Sequence, residues 1–348
     1  MNRLEVLLPF ALTPPELARD LQRELHLPAL AMLLGRGTLT LSSETDGFSR
    51  ALPHESWLAG TYGTASQTGN SPALGTALAR AANLPAAQGC WFVLQPVHIH
   101  IARDHLVLTD PRQLQLDESH SRTLFDIARP LFEEVGQTLL WIDAATWLLR
   151  ADDWEALRTA SPDAACGHNV DIWMPQGEQA RDWRRLQNEV QMHWHGHAVN
   201  DERASQGQKP VNSIWLWGGD DAAANAAQNA EPPRQVFHAT ATPAPQLAAL
   251  RSQSVASVAE LLAATDGGVL VLDELIAPAL SQDWAQWIDA FNALETHWFA
   301  PLLDALQAGR LQQIEIVLSH HAMLKQVAVS KGALRKFWKK PSLSTLSA

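Results

Sequence analysis

A chain of 348 residues is long enough for two or three domains with real cores. Its formal charge of -11, with 46% hydrophobic and 18% charged residues, describes an ordinary globular protein and excludes general nucleic-acid binding, which needs basic surface to displace counterions. The two cysteines, Cys90 and Cys166, permit one disulfide at most, which excludes a stapled secreted scaffold.

Fourteen tryptophans stand against one tyrosine. Rings of that size fill cores or line pockets, and each indole N–H wants an acceptor. The apolar run at 4–12 is broken by Glu5 and followed by Pro14-Pro15. It is too short to span a membrane and has no clear signal-peptidase site, so the expectation is a cytoplasmic protein without membrane association.

In chain order, residues 4–10 predict a first strand. Thr13-Pro14 predicts a helix start, with leucines at 17, 21 and 25 at helical spacing. A short helix follows at 29–34, then a turn-rich segment at 35–48 with a strand at 38–41. His54-Glu55-Ser56 opens a helix-compatible piece; Ser56 beside Glu55 and His54 invites a nucleophile reading. Sequence neighbours on a helix rarely face one another, however, so a polar helix start is the simpler reading. Residues 64–71 read as a loop and 72–83 as an alanine-rich helix. A strand at 90–101 places His98 and His100 on one face, either as a metal-ligand spacing or as polar residues on an open sheet face. Residues 106–108 pair with it. Then come a helix at 118–136, kinked at Pro130, and strands at 138–143 and 147–150. The pattern is that of a small α+β subdomain.

Residues 157–167 form a polar link. After the segment 183–221, residues 220–233 read as a loop or frayed helix and 235–239 as a strand. Helices are expected at 245–253 and 255–265. The apolar run 269–272 predicts a buried strand, with Asp273-Glu274 at its carboxyl end, where α/β proteins place functional carboxylates. A long amphipathic helix at 282–306, kinked or restarted at Pro301, precedes a buried strand at 314–318 that ends in Ser319-His320-His321. The basic run 325–340 reads as a solvated tail.

Polar donors, imidazoles and tryptophans are most concentrated in 183–221. Residues 180–192 predict an amphipathic helix stopped near Gly196. Asn200 is expected to cap a short second helix that ends at Gly207, before Pro210. Residues 211–217 predict a strand closed by a turn at Gly218-Gly219.

The run His197-Ala-Val-Asn200-x-x-Arg203, then Gly207, Pro210-Val-Asn212 and Trp215-Leu-Trp217-Gly218, resembles the signature His-Pro-x-Asn…Arg…Gly…Pro-Ala-Asn…Leu…Gly of archaeal-type cofactor-independent phosphoglycerate mutases, members of the alkaline phosphatase superfamily. It is similar, more closely still, to a group of proteobacterial phosphoglycerate-mutase-like and regulatory proteins, which share the lead-in Asn188-Glu189-x-Gln191-Met192. The resemblance implies two divalent metals held by Asp and His, and a Ser or Thr that is transiently phosphorylated. The chain departs from that pattern. Its first strand runs into Leu8-Pro9-Phe10 rather than an Asp-Gly ligand, and Asp46-Gly47 follows a turn-rich segment. No Asp-x-x-x-His follows Asp273-Glu274, and His320-His321 stands where a late Asp-His pair is expected. Ala198 replaces the signature proline, and Asp220 stands where relatives often keep glycine.

The fold expected is α/β, a mixed sheet core flanked by helices, with a small α+β (ferredoxin-like) subdomain. Residues 1–88 and 231–348 contribute to the core, 89–165 form the subdomain, and 166–230 are the signature segment. Three functions are open. The first is a mutase-like protein without metals or other cofactor, binding a small anion or a protein through His195, His197, Asn200, Arg203, Asn212, Trp215 and Trp217. There the Arg203 fork grips a phosphate or carboxylate, or else these residues only brace the loop. The second is an active phosphotransferase or phosphohydrolase that recruits a divalent metal such as Mn or Mg through His193, His195, His197, His320 or His321, with Asp273. The third is a regulatory module whose basic tail meets a protein partner.

Overall fold

The structure is a computed structural model, and it describes residues 3–63, 69–84, 88–221, 234–240, 243–264 and 267–348. Residues 64–68 of the expected loop 64–71 and residues 222–233 of the expected segment 220–233 lie outside them. In chain order the strands are β1 (Arg3–Leu8), β2 (Thr38–Glu44), β3 (Cys90–Val97), β4 (Ile99–Ala102), β5 (His105–Leu108), β6 (Thr138–Trp141), β7 (Trp147–Arg150), β8 (Ser213–Asp221), β9 (Val236–His238), β10 (Gln253–Ser254), β11 (Gly267–Val271), β12 (Gln313–Ser319) and β13 (Met323–Ser330).

One sheet is mixed, in the order β10-β9-β11-β1-β12-β13-β2. Its first five strands are parallel, so their carboxyl ends open on one side. β1, β11 and β12 are near-continuous apolar runs because helices cover both faces. Glu5 is tolerated inside β1 because Arg234 Nη1 donates to both its oxygens, at 2.8 and 2.9 Å. The expected basic tail is corrected here. Residues Met323–Ser330 pair antiparallel with β12, and Leu324, Val327 and Val329 turn inward while Lys325 and Gln326 face out. That alternation is a strand signal masked by lysines. The chain beyond returns to the core, where Thr13 N–H donates to the Leu346 carbonyl at 2.7 Å and Leu346 is fully buried.

The second sheet has the order β6-β7-β3-β8, all antiparallel. With helices Glu118–Glu134 and Ala180–Trp194 between its strands in sequence, its chain order is β-α-β-β-α-β and its first and last strands are neighbours. This is the ferredoxin-like arrangement. The signature strand β8 is its fourth strand, on the edge beside β3. Tryptophans fill its core: Trp147, Trp183, Trp194 and Trp215 are fully buried, and Trp147 meets Trp194 edge to face at 6.0 Å. The expected strand at 90–101 breaks at His98 into β3 and β4, and β4 pairs with β5 as a separate hairpin. Pro130 lies within an unbroken helix Glu118–Glu134. The long helix expected at 282–306 is Trp284–Leu294, a π-helical turn Glu295–Phe299, and Ala300–Ala308; the irregularity precedes Pro301. No helix among the described residues is long and apolar enough to cross a membrane.

Gly75 opens the helix Gly75–Ala81 against β3, and a Cβ there would lie 2.2 Å from the Trp91 carbonyl oxygen. The helix cannot withdraw, because Asp220 Oδ1 accepts from Thr76 N–H at 2.7 Å and from Thr76 Oγ1 at 2.6 Å. Gly75→Ala gains helix propensity of roughly 1 kcal/mol but must displace backbone, for a net loss of about 2 kcal/mol. Urea unfolding curves of the two proteins measure this, and an Ala variant as stable as the parent contradicts the close approach.

Candidate functional site

The carboxyl ends of β1, β11 and β12, the side on which a parallel sheet places its crevice, meet loops around the second sheet. β1 ends at Leu8, and the chain turns through Phe10 with φ of 56°, a left-handed conformation that a bulky residue rarely holds. Phe10 is 2% exposed. Its N–H donates to Ser319 Oγ at 3.3 Å. Its ring lies edge-on to His54 at 5.7 Å and to His321 at 4.9 Å. His321 meets His168 at 5.7 Å and His320 at 5.3 Å. Four imidazoles from three separate segments thus cluster together, two of them against the phenyl ring.

Ser319, the last residue of β12, sits 3.1 Å from His54 Nδ1. Its oxygen also accepts from Phe10 N–H, and the imidazole tautomer decides which of Ser319 and His54 donates to the other. Burial is the main reason that His54 stays neutral, with its pKa pushed down to about 4; Asp163 opposes this and Arg112 adds to it. Burial, then the neighbouring imidazoles, pushes His321 down to about 4 as well. Next to His54, Glu55 accepts from Leu52 N–H at 2.7 Å and from Ser161 Oγ at 2.7 Å, so it stitches the helix Pro53–Tyr62 to the roof. Burial and then Asp163 raise its carboxyl well above the usual range.

The roof supplies charge. Arg112 donates to both oxygens of Asp163 at 3.1 and 2.7 Å, and its Nε lies 2.9 Å from Asp110 Oδ1. Burial opposes its charge, but Asp163 and Asp110 hold it protonated. Two prolines place these groups: Asp110 caps the turn Pro111–Leu114, and Ser161 caps the helix Pro162–Ala165. Asp273, at the end of β11, feels Arg112 across the crevice, though burial raises its carboxyl overall. Burial also pushes the Cys166 thiol up, as does Asp110, so it is not a nucleophile. Among the described residues no three His, Cys, Asp or Glu side chains are grouped as metal ligands. The donors present do not fit paired cations: the guanidinium already takes Asp110 and Asp163, and a phenyl ring fills the space between two of the imidazoles.

Of the residues expected to bind an anion, His197, Asn200, Arg203, Asn212, Trp215 and Trp217 bond to their own chain, away from the histidine cluster. Asn200 Nδ2 donates to the Trp194 and Val211 carbonyls at 3.1 and 2.9 Å, and its Oδ1 accepts from Val211 N–H at 2.8 Å. Asn212 bonds both backbone groups of Ile99 at 2.8 Å. Arg203 is fully buried, with Nε donating to the Lys209 carbonyl at 3.0 Å and Nη2 to that of Leu114 at 2.5 Å. Trp215 and Trp217 donate to the Ala160 carbonyl and to Gln95 Oε1, at 2.8 and 2.9 Å. His195 ends a helix, exposed. His197, not Asn200, caps the next helix, Ala198–Ser205, accepting from Val199 N–H at 3.2 Å. With His193 still helical, the three histidines of this run do not share an extended face. Gly218 and Gly219 lie within β8 rather than in a turn; Gly218 takes φ of 69° and Gly219 lets the Phe92 ring approach. His98 and His100 stack at 5.8 Å, but their Nδ1 atoms are taken by the Pro210 carbonyl and Thr109 Oγ1.

The buried neutral histidines set a pH response. Unfolded, His54 takes its proton near pH 6.5; folded, it does so near 4, so stability falls as pH drops through that window. Glu55 runs the opposite way, because its raised folded pKa favours the folded state at low pH. The difference between wild type and His54→Gln isolates the imidazole. The variant is expected to lose about 2 kcal/mol less between pH 6.5 and 4. Parallel pH dependences in urea unfolding would remove the claim.

No family model matches the chain, and no curated protein matches it significantly. Solved structures similar to it include the PH0037 protein from Pyrococcus horikoshii, 12% identical over 99% of this chain and 92% of that one, with a TM-score of 0.52. Another is a cofactor-independent phosphoglycerate mutase from Thermoplasma acidophilum, 14% identical over 100% of this chain and 94% of that one, with a TM-score of 0.48. At these identities the likeness is one of fold.

Proposed function

We propose that the chain is a phosphoglycerate-mutase-like protein whose two-metal centre is lost, and that it acts by binding rather than by turnover, in a regulatory role in the cytoplasm. The signature resemblance over 183–221 supports the family, and the crevice lies at the carboxyl end of a parallel sheet, where such folds act. One observation carries the loss of the centre: Phe10, held at φ of 56°, fills the end of β1 between His54 and His321. A strained, buried phenyl ring contributes no ligand, and it excludes the water and carboxylates that divalent cations need. The ligand is a small anion or a protein partner. In this reading His195, His197, Asn200, Arg203, Asn212, Trp215 and Trp217 brace the signature loop.

The four histidines favour a second reading, an active phosphotransferase or phosphohydrolase using Mn or Mg. Metal analysis of the purified protein, with a mutase assay in Mn²⁺, separates the two. Binding without catalysis predicts substoichiometric metal and no turnover. Mn²⁺-dependent turnover abolished by His321→Ala overturns it in favour of the enzyme.

A further inference from the structure

Asp273 and Glu274 are neighbours with different surroundings. Asp273 feels Arg112 and Asp163 in the crevice. Glu274 instead lines a separate cavity of about 230 Å³, with Ala239, Val255, Leu294, His297 and Trp298 among its walls. The cavity opens between the ends of β9, β10 and β11 and the helix Trp284–Leu294 with the turn that continues it.

Two independent observations mark it as built to hold something. Its helical wall is the π-helical turn Glu295–Phe299, which interrupts the α-helix where His297 and Trp298 reach the cavity. A π-turn gives up regular hydrogen bonding, and such turns recur at functional positions. In its wall, one buried polar atom stands without a hydrogen-bond partner among the described residues, Glu274 Oε2. A buried group left unpaired costs stability, and it is tolerated where a ligand completes it.

The lining sets the ligand's chemistry. Six of the nine lining residues are Ala, Val or Leu, and Trp298 adds an indole. One carboxyl faces them, and no Lys or Arg lines the cavity. Burial and then Asp273 push that carboxyl up to about 7, which marks a charge in want of a counterion. An ammonium supplies the N–H donors that Glu274 lacks and sits well against an indole face, while the small apolar walls accept a short hydrocarbon or ring.

We propose that this cavity is a binding site for a small organic amine, its ammonium paired with Glu274 and its apolar body against Trp298. The site is distinct from the histidine crevice and does not depend on how that crevice functions.

Isothermal titration with benzylammonium, benzyl alcohol and benzoate as probes tests it. Benzylammonium is expected to bind saturably, with at least tenfold weaker binding of benzyl alcohol and none of benzoate. Glu274→Gln should lower benzylammonium affinity at least tenfold. Ala293→Phe, which fills the cavity from an exposed helical position, should abolish binding without affecting the fold. Absence of saturable binding to the wild type, equal affinity for the alcohol, or unchanged affinity in both variants overturns the proposal.

Discussion

Asp163→Ala is expected to lower stability by about 3 kcal/mol, more than loss of any other carboxylate in the crevice. Asp163 is only 13% exposed, and it receives both forks of the Arg112 guanidinium, at 3.1 and 2.7 Å. Without it, Arg112 keeps Asp110 alone, and Asp110 Oδ2 is itself buried with no partner among the described residues. A half-buried cation is then left under-compensated beside His54, where a positive charge is already unfavourable. The partial exposure of Arg112 keeps the loss at the lower end of the range for buried pairs. Removing both charges is the informative control. In an Asp110→Asn background, which leaves no second carboxylate to strand, Asp163→Ala with Arg112→Met should recover at least half the loss, because two groups that compensate each other can be replaced together by apolar ones. Urea unfolding of the four proteins closes the cycle. A single variant within about 1 kcal/mol of wild type would show that the pair is not what holds the roof.

The periodic parts of this fold were legible in the sequence, and the site was not. Trp147–Arg150, the helix at 180–194 and the buried strands at 267–271 and 313–319 follow from apolar patterning, which the tertiary structure reinforces. β13 was hidden because its outward positions carry lysine and glutamine, so charge outweighed alternation. The crevice was hidden for a different reason. His54, Arg112, Asp163, His168 and His321 are scattered over more than 250 residues and meet only through topology. Some local signal existed, since Asp110-Pro111 and Ser161-Pro162 are cap-and-proline pairs that fix a short turn rigidly. Such pairs read as punctuation until the fold shows what they hold. The signature stretch is ambiguous for another reason. Its residue types are those that bind anions, but Asn and Arg serve equally well to satisfy backbone carbonyls in a buried loop.

Arg203 separates those two roles experimentally. Its guanidinium is fully buried and bonded to the carbonyls of Lys209 and Leu114, while Nη1 has no partner among the described residues. Burial lowers its pKa, and Asp117 only partly opposes this. The contact with Leu114 matters most, because Leu114 belongs to the same short turn, Pro111–Leu114, that carries Arg112. Arg203 therefore ties the signature loop to the element that places the crevice's one guanidinium bonded to two carboxylates. Arg203→Ala removes two charge-assisted hydrogen bonds, strands the buried Leu114 carbonyl and opens a cavity, for an expected loss of about 3 kcal/mol. Arg203→Lys should recover little, since an ammonium cannot reach both carbonyls in the geometry of a planar fork. Thermal unfolding and phosphoglycerate titration on both variants read the two roles apart. Bracing predicts a large loss of stability in each. A variant that stays within about 1 kcal/mol of wild type yet no longer binds phosphoglycerate would instead make Arg203 a ligand-gripping residue, and would return the signature loop to the role its residue types suggest.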